Sequence, residues 1–306
     1  MSEFETRVFQ HGPLRFTALA QGSGPVVLCL HGFPDCARSY RAQLPALAGA
    51  GYRAVSLSLR GYEPDSIPAD GDYRLETIAT DVLAVIDQLG EEQVHLVGHD
   101  WGAAIGYTAA GIAPQRFHSL TAMAVPHPYR FLIGILRRPK QLRLSWYMLF
   151  FQLRGVADRI VARDDYQFIR MLWRHWSPGW EPAEKELRAV IDTLRRPGVT
   201  RAALGYYRAA LDPRNVPLTA AAREQAQFQV PVPTLALTGE RDGCIDSAAF
   251  QAMMRDEDFP AGLEVRQVAA AGHFLHQEQP GEVNAILLDW LDRYPSHDKQ
   301  VANKDS

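Results

Sequence analysis

Asp100 stands at the centre of Gly98-His99-Asp100-Trp101-Gly102, directly after the apolar run Val94–Val97 and before a stretch of helical periodicity. Small residues two before and two after a nucleophile let a chain turn tightly from strand into helix, leaving the central side chain exposed above the helix N-terminus. Serine is the usual occupant of such an elbow; here it is a carboxylate. A serine that attacked an sp³ carbon would end as an ether, a dead end. An aspartate that does so ends as an ester, which water can cleave at the aspartate's own carbonyl. The residue type therefore points to alkyl transfer, opening an epoxide or displacing a halide, and away from esterases and lipases. Taken alone, the same five residues also fit a chance glycine turn with an aspartate N-cap.

Other motifs give this one its context. His31-Gly32-Phe33-Pro34 follows the run Val26–Leu30, and the backbone N–H groups of Phe33 and Trp101 are the candidate oxyanion donors. The plainer reading of His31-Gly32 is a structural turn. Thr238-Gly239-Glu240-Arg241-Asp242 follows another run, and Asp242 could orient a histidine; helix capping is its alternative duty, although Asp246 fits that better. Gly272-His273-Phe274 follows Leu263–Val268 and offers His273 as the base. His276, three residues on, reads as a helix-start or surface residue. His95 and His99 are four apart but on a strand and a turn, and no H-E-x-x-H metal pattern occurs. The chain order of nucleophile, acid and histidine, each at the C-terminal end of a strand, is that of α/β-hydrolases, and ligands of open parallel sheets bind outside those ends.

The elements that would hold these residues alternate. Val26–Leu30 reads as a buried strand, and Ala54–Leu59, Val94–Val97, Leu120–Val125, Pro231–Thr238 and Leu263–Val268 read as further strands. Tyr40–Leu47 reads as helix. Leu75–Leu89 carries an apolar helical stripe that stops at Gly90, and Glu282–Leu291 is a closing helix. Alternation of this kind implies an α/β fold with a mostly parallel sheet flanked by helices. From Pro126–Pro128 to about Val230 the strands vanish, and helical periodicity rich in aromatic residues and arginine takes over. The expected organisation is an α/β core of residues 1–127 and 231–306 with an inserted helical cap at 128–230. The polar tail from Ser296 reads as disordered.

Composition narrows the field. The chain has 306 residues and a net charge of −3, which calls for neither nucleic acid nor an anionic membrane. No apolar run is long enough to span a bilayer, and MSEFETRVFQ lacks the features of a signal peptide. Cys29, Cys36 and Cys244 are unpatterned and read as free thiols, so the expected location is cytoplasmic.

On these motifs the chain resembles the α/β-hydrolase-fold epoxide hydrolases over nearly its whole length. HGFP, Leu59-Arg60-Gly61-Tyr62, GHDWG, the acid at Asp242 and the GHF histidine all resemble that family. Within the insert, Ser145-Trp146-Tyr147-Met148 and Tyr206-Tyr207-Arg208 are similar to the stretches that carry the family's lid tyrosines. Tyr62-Glu63-Pro64-Asp65 departs from it, since many relatives have a small residue after the aromatic, which bears on the shape of that loop.

The resemblance implies a mechanism. Asp100 attacks an epoxide carbon while Tyr147 and Tyr207 protonate the oxygen; His273, held by Asp242, activates water; Phe33 and Trp101 hold the oxyanion. It implies a small apolar epoxide and water as the partners, no organic cofactor and no metal, with no nucleic-acid or membrane partner and with homodimerisation as the one assembly left open. Tyr206 is then a packing or surface residue, because adjacent helical residues point about 100° apart. Packing alone would also explain aromatic residues at helical spacing. Two other functions use the same frame. A haloalkane dehalogenase shares the aspartate but needs a second halide donor, which the Phe33 side chain does not offer and lid tryptophans could. A ligand receptor on this fold could keep the triad without turnover.

Overall fold

The computed structural model describes residues 4–215 and 229–295. Its centre is an eight-stranded sheet in the order β1-β2-β4-β3-β5-β6-β7-β8. The strands are β1 (Glu5–His11), β2 (Leu14–Gln21), β3 (Val26–Leu30), β4 (Arg53–Leu57), β5 (Val94–His99), β6 (Phe117–Met123), β7 (Thr234–Gly239) and β8 (Leu263–Val268). Pairings from β4 through β8 are parallel, whereas β1 with β2 and β2 with β4 are antiparallel. The fold class expected from the sequence is the fold observed.

Strands β3 and β5 are buried along their whole length, as unbroken apolar runs should be in a sheet covered on both faces. Helices α1 (Gln43–Gly49), α2 (Leu75–Leu89) and α3 (Trp101–Ile112) flank them, and α2 ends on Gly90 in the left-handed conformation, a C-cap that favours glycine. The hairpin β1–β2 had no counterpart among the expected strands. β1 is an edge strand with mostly exposed side chains, held by backbone pairing rather than by an apolar face. It therefore lacks the periodicity that marks buried strands.

Between β6 and β7 the described residues form helices only: α4 (Pro128–Gly134), α5 (Pro139–Leu144), α6 (Trp146–Phe150), α7 (Val156–Trp176), α8 (Glu184–Arg195) and α9 (Val199–Ala210), with short 3-10 turns. Helix α7 is broken at Arg163–Tyr166, where Asp164, Asp165 and Tyr166 all take positive φ. The chain closes with α10 (Ser247–Met253), α11 (Leu275–Glu278) and α12 (Pro280–Arg293). Asp246 caps α10 by accepting from the Ala249 N–H, the duty its position suggested. Part of the expected cap, residues 216–228, and the tail from Ser296 lie outside the described residues. Among those described, no helix is long and apolar enough to cross a membrane.

Candidate active site

The turn after β5 is built by excluded side chains. Asp100 has φ 52° and ψ −117°, a left-handed backbone that an aspartate adopts only when its surroundings impose it. A Cβ on Gly98 would lie 2.3 Å from the Gly102 carbonyl oxygen, and one on Gly102 would lie 2.0 Å from that of Leu30. A Cβ on Gly32 would meet the Asp100 carboxylate at 2.4 Å. These glycines let the HGFP loop, the elbow and the start of α3 close on one another. Register brings them level, since Leu30 pairs with Gly98 across β3 and β5.

The Asp100 carboxylate is consequently held from one side. Its Oδ1 accepts the Phe33 N–H at 2.7 Å. Trp101 is the first residue of α3, so its own N–H has no acceptor within the helix. His31 is no catalyst. Its Nε2 accepts the Leu59 N–H at 3.2 Å, which places the ring proton on Nδ1, 3.0 Å from the Gly32 carbonyl. Burial pushes its pKa down to about 4. The ring ties HGFP to the LRGY segment, the structural role that was the plainer reading.

Beyond Asp100 lie the acid and the histidine. Asp242 Oδ1 accepts the N–H groups of Cys244 and Ile245 at 2.7 and 2.8 Å, and Oδ2 faces His273 Nδ1 at 3.0 Å. His273 Nε2 lies 3.6 Å from Asp100 Oδ2, longer than a hydrogen bond, and has no partner among the described residues. Burial works against a charge on His273, yet the Asp242 and Asp100 carboxylates outweigh it and raise the pKa to about 10. The Asp242 and His273 loops meet through glycine as well, for a Cβ on Gly239 would lie 2.0 Å from the Gly272 carbonyl oxygen.

The helical insert completes the enclosure. The Trp176 carbonyl, at the end of α7, accepts from Gly243 N at 2.9 Å and from His273 N at 3.0 Å. The Tyr207 ring, on α9, packs edge-on against Phe33 and Trp101, with centroids 5.4 and 4.9 Å away. The Tyr147 ring, on α6, packs 5.6 Å from it. Tyr147 Oη lies 3.2 Å from Cys244 Sγ, whereas Tyr207 Oη is buried with no hydrogen-bond partner among the described residues. Burial raises both phenols well above the usual value; next in weight come Cys244 for Tyr147 and Asp100 for Tyr207. Both therefore keep their protons. Tyr206 points elsewhere: its hydroxyl donates to the Arg60 carbonyl at 2.7 Å. Neighbouring tyrosines on one helix thus do different work.

Asp100, Asp242, His273, Tyr147, Tyr207 and Phe33 come together in one buried space with Trp101 at its edge. One assignment needs correcting. His276 does stand at a helix start, as the second residue of α11, but it is no surface residue: it is fully buried. Its Nε2 meets Ser39 Oγ at 2.6 Å, Ser39 donates to Asp35 at 2.7 Å, and its ring lies 4.5 Å from that of His99. Spacing from His273 could not show this, because the buried polar partners come from the distant HGFP segment. Asp35, His99 and His276 bring ligand-type atoms within 4.8 Å of one another. Hydrogen bonds engage each of them, His99 Nε2 donating to the His273 carbonyl at 2.9 Å. The cluster is a polar layer beneath the histidine. Cys244 was also overlooked as a site residue: its backbone holds Asp242 while its thiol meets Tyr147. Its place two residues after the acid was the available signal.

Comparison with known proteins agrees with this architecture. The model of the alpha/beta hydrolase fold matches residues 25–280. The chain is 32% identical to "Epoxide hydrolase 3" of Xenopus tropicalis, over 91% of this chain and 75% of that one. It is 32% identical to "Epoxide hydrolase A" of Mycobacterium tuberculosis, over 91% and 94% respectively. A solved Bacillus megaterium epoxide hydrolase in complex with an inhibitor superposes with a TM-score of 0.80 at 27% identity, covering 94% of this chain and all of that one. A Vigna radiata epoxide hydrolase gives 0.82 at 27% identity, over 96% of this chain.

Proposed function

The chain belongs to the α/β-hydrolase-fold epoxide hydrolase family, and we propose that it converts an apolar epoxide and water to a vicinal diol through a covalent ester on Asp100. The observation that carries this reading is the asymmetry of the Asp100 carboxylate. Oδ1 is fixed by the Phe33 N–H, while Oδ2 faces the buried space that His273 and the tyrosines enclose. Oδ2 is thus the attacking oxygen, and Oδ1 is already where an oxyanion would later need its donors.

Attack forms the Oδ2–carbon bond and breaks the carbon–oxygen bond of the ring. The departing alkoxide is a strong base and takes a proton from a phenol, Tyr207 or Tyr147. A halide would need no such acid. That is why two buried, protonated tyrosines beside the nucleophile favour the epoxide over the halide. Esterification also cancels the Asp100 charge, one of the two that hold the proton on His273. The tyrosinate lacks a proton just as the imidazolium loses a counter-ion. Transfer of that proton restores the phenol and leaves His273 neutral. Asp242 keeps the ring oriented while Nε2 takes a proton from water. The water oxygen joins Cγ, the Cγ–Oδ2 bond breaks, and the second proton of the water passes to Oδ2. The diol leaves with Oδ2, while Asp100 is again a carboxylate and His273 again protonated. Phe33 N–H and Trp101 N–H stabilise the oxyanion on Oδ1. In this scheme residues 128–230 act as a cap and the rest as the core, and neither organic cofactor nor metal takes part.

Single turnover in water enriched in heavy oxygen tests the ester directly. The first diol should carry unlabelled oxygen from Asp100, and the label should enter the protein. Label in that first diol would mean direct attack by water and would overturn the scheme.

A further inference from the structure

The outer surface of the helical insert has a character that the site beneath it does not explain. Of the eleven exposed large apolar side chains among the described residues, eight lie between Ile133 and Ile160. Leu136 is 76% exposed and Leu149 65%. Ser145 links α5 to α6: its N–H bonds the Gln141 carbonyl at the end of α5, and the Phe151 N–H bonds the Tyr147 carbonyl at the end of α6. Leu142 on α5, Trp146 and Leu149 on α6 and Leu153 in the turn that follows are all exposed, and Trp146 and Leu149, three residues apart, share one face of α6. The opposite side of α6 carries Tyr147 into the site.

Cations surround this stripe. Residues 133–160 hold six basic side chains and one acidic one in a chain of net charge −3. Arg137, Arg138, Arg143, Arg154 and Arg159 make no ion pair among the described residues. The single acid, Asp158, is taken by Arg208 at 2.7 Å. The chain-wide charge, which points away from an anionic membrane, averages this segment out.

We propose that this face docks on an anionic lipid surface, with Trp146, Leu149 and Leu153 entering the boundary between headgroups and acyl chains and the unpaired arginines meeting phosphate. Apolar side chains flanked by free cations on a helix lying in the interface plane are the pattern of peripheral membrane contact. A second copy of the chain fits less well. A two-fold interface sets the same patch against itself and would bring the unpaired arginines together. An apolar substrate dissolved in lipid would then meet the protein at the helix that bears Tyr147.

Co-sedimentation of the full chain with phosphatidylglycerol-containing vesicles, and with pure phosphatidylcholine vesicles, tests the surface. Binding is expected with the anionic vesicles alone and should weaken as salt rises. Arg143→Ala and Arg154→Ala should each lower vesicle affinity roughly fivefold. The double variant Leu149→Ser with Leu153→Ser should remove most of it. All these variants should turn over a water-soluble epoxide at the rate of the parent, which shows that they fold. Equal sedimentation with and without anionic vesicles would overturn the proposal. So would a dimer seen by analytical ultracentrifugation that Leu149→Ser with Leu153→Ser dissociates while vesicles capture nothing, an outcome that gives this face to a second copy. Because vesicle capture is read without turnover, it stands or falls apart from the assignment of the reaction.

Discussion

The site has two halves that are made differently. The lower half, from the strand ends of the sheet, is fixed by backbone. Glycine contacts at Gly32, Gly98 and Gly102 leave Asp100 one conformation, and N–H groups hold both carboxylates. The upper half, from α6 and α9, is fixed by side-chain packing. Tyr147 and Tyr207 sit where rings from Phe33, Trp101 and Phe151 place them, and the Tyr147 hydroxyl also meets the Cys244 thiol. In the proposed scheme, covalent chemistry with a single trajectory falls to the rigid half, and proton donation to an oxygen of variable position falls to the softer one. Among the described residues, α7 of the insert joins the lower half through main chain at the Trp176 carbonyl, which accepts from Gly243 N and His273 N in the loops of Asp242 and His273.

If that division is right, changes below should act on one step completely and changes above should act by degrees. His273→Gln is expected to have the largest effect. Ester hydrolysis should slow by roughly 10³-fold or more, since in the proposed scheme His273 is the base that activates water. Alkylation should continue, and intact-mass measurement should find an adduct of the epoxide's mass; a folded variant with no adduct would reverse the roles assigned here.

The tyrosines should show the softer behaviour. General acid catalysis is typically worth 10²–10⁴-fold, so Tyr207→Phe should lose part of that range and Tyr147→Phe with Tyr207→Phe most of it. The loss should fall on adduct formation and spare its hydrolysis. Tyr206→Phe should leave alkylation unchanged, because its hydroxyl is spent on the Arg60 carbonyl. Should Tyr206→Phe slow alkylation while the double variant does not, packing rather than acid catalysis explains the pair, and haloalkanes become the substrates to try first.

The smallest effect is on stability. The His273 pKa is raised from 6.5 to about 10 in the fold. A raised pKa contributes stability that is complete below the unfolded value and lost as pH climbs through the folded one. The melting temperature should therefore fall between about pH 7 and pH 10. Asp100→Asn removes one of the charges that raise the pKa, so the same variant measured over the same window should show a shallower fall. Parallel curves would mean that Asp242 alone holds the proton.

Much of this was legible in the residues themselves. Asp100 and Asp242 each follow a buried apolar run, His273 follows the half-exposed strand β8, and glycine on either side of Asp100 marks the turn. Those signals are local, written in five or so adjacent residues, so they can be read without a fold. Edge strand β1 was not legible, because an edge strand is held by backbone pairing and needs no apolar pattern, whereas β2, paired on both sides, carries an alternation at Leu14, Phe16, Ala18 and Ala20 that sequence reasoning missed. The buried state of His276 was not legible either, since Ser39 lies far from it in sequence. Likewise the net charge concealed the basic, apolar face of the insert, which exists only once helices turn Trp146 out and Tyr147 in. The sequence by itself determined the reaction class, because a carboxylate at an elbow can form an ester with carbon and release it. Only tertiary structure shows which oxygen of Asp100 is left free of the Phe33 N–H and where the ring of Tyr207, the tyrosine already singled out over Tyr206 in the sequence, packs. Those are matters of direction, and direction depends on contacts between segments such as Phe33 and Tyr207 that the chain brings together only by folding.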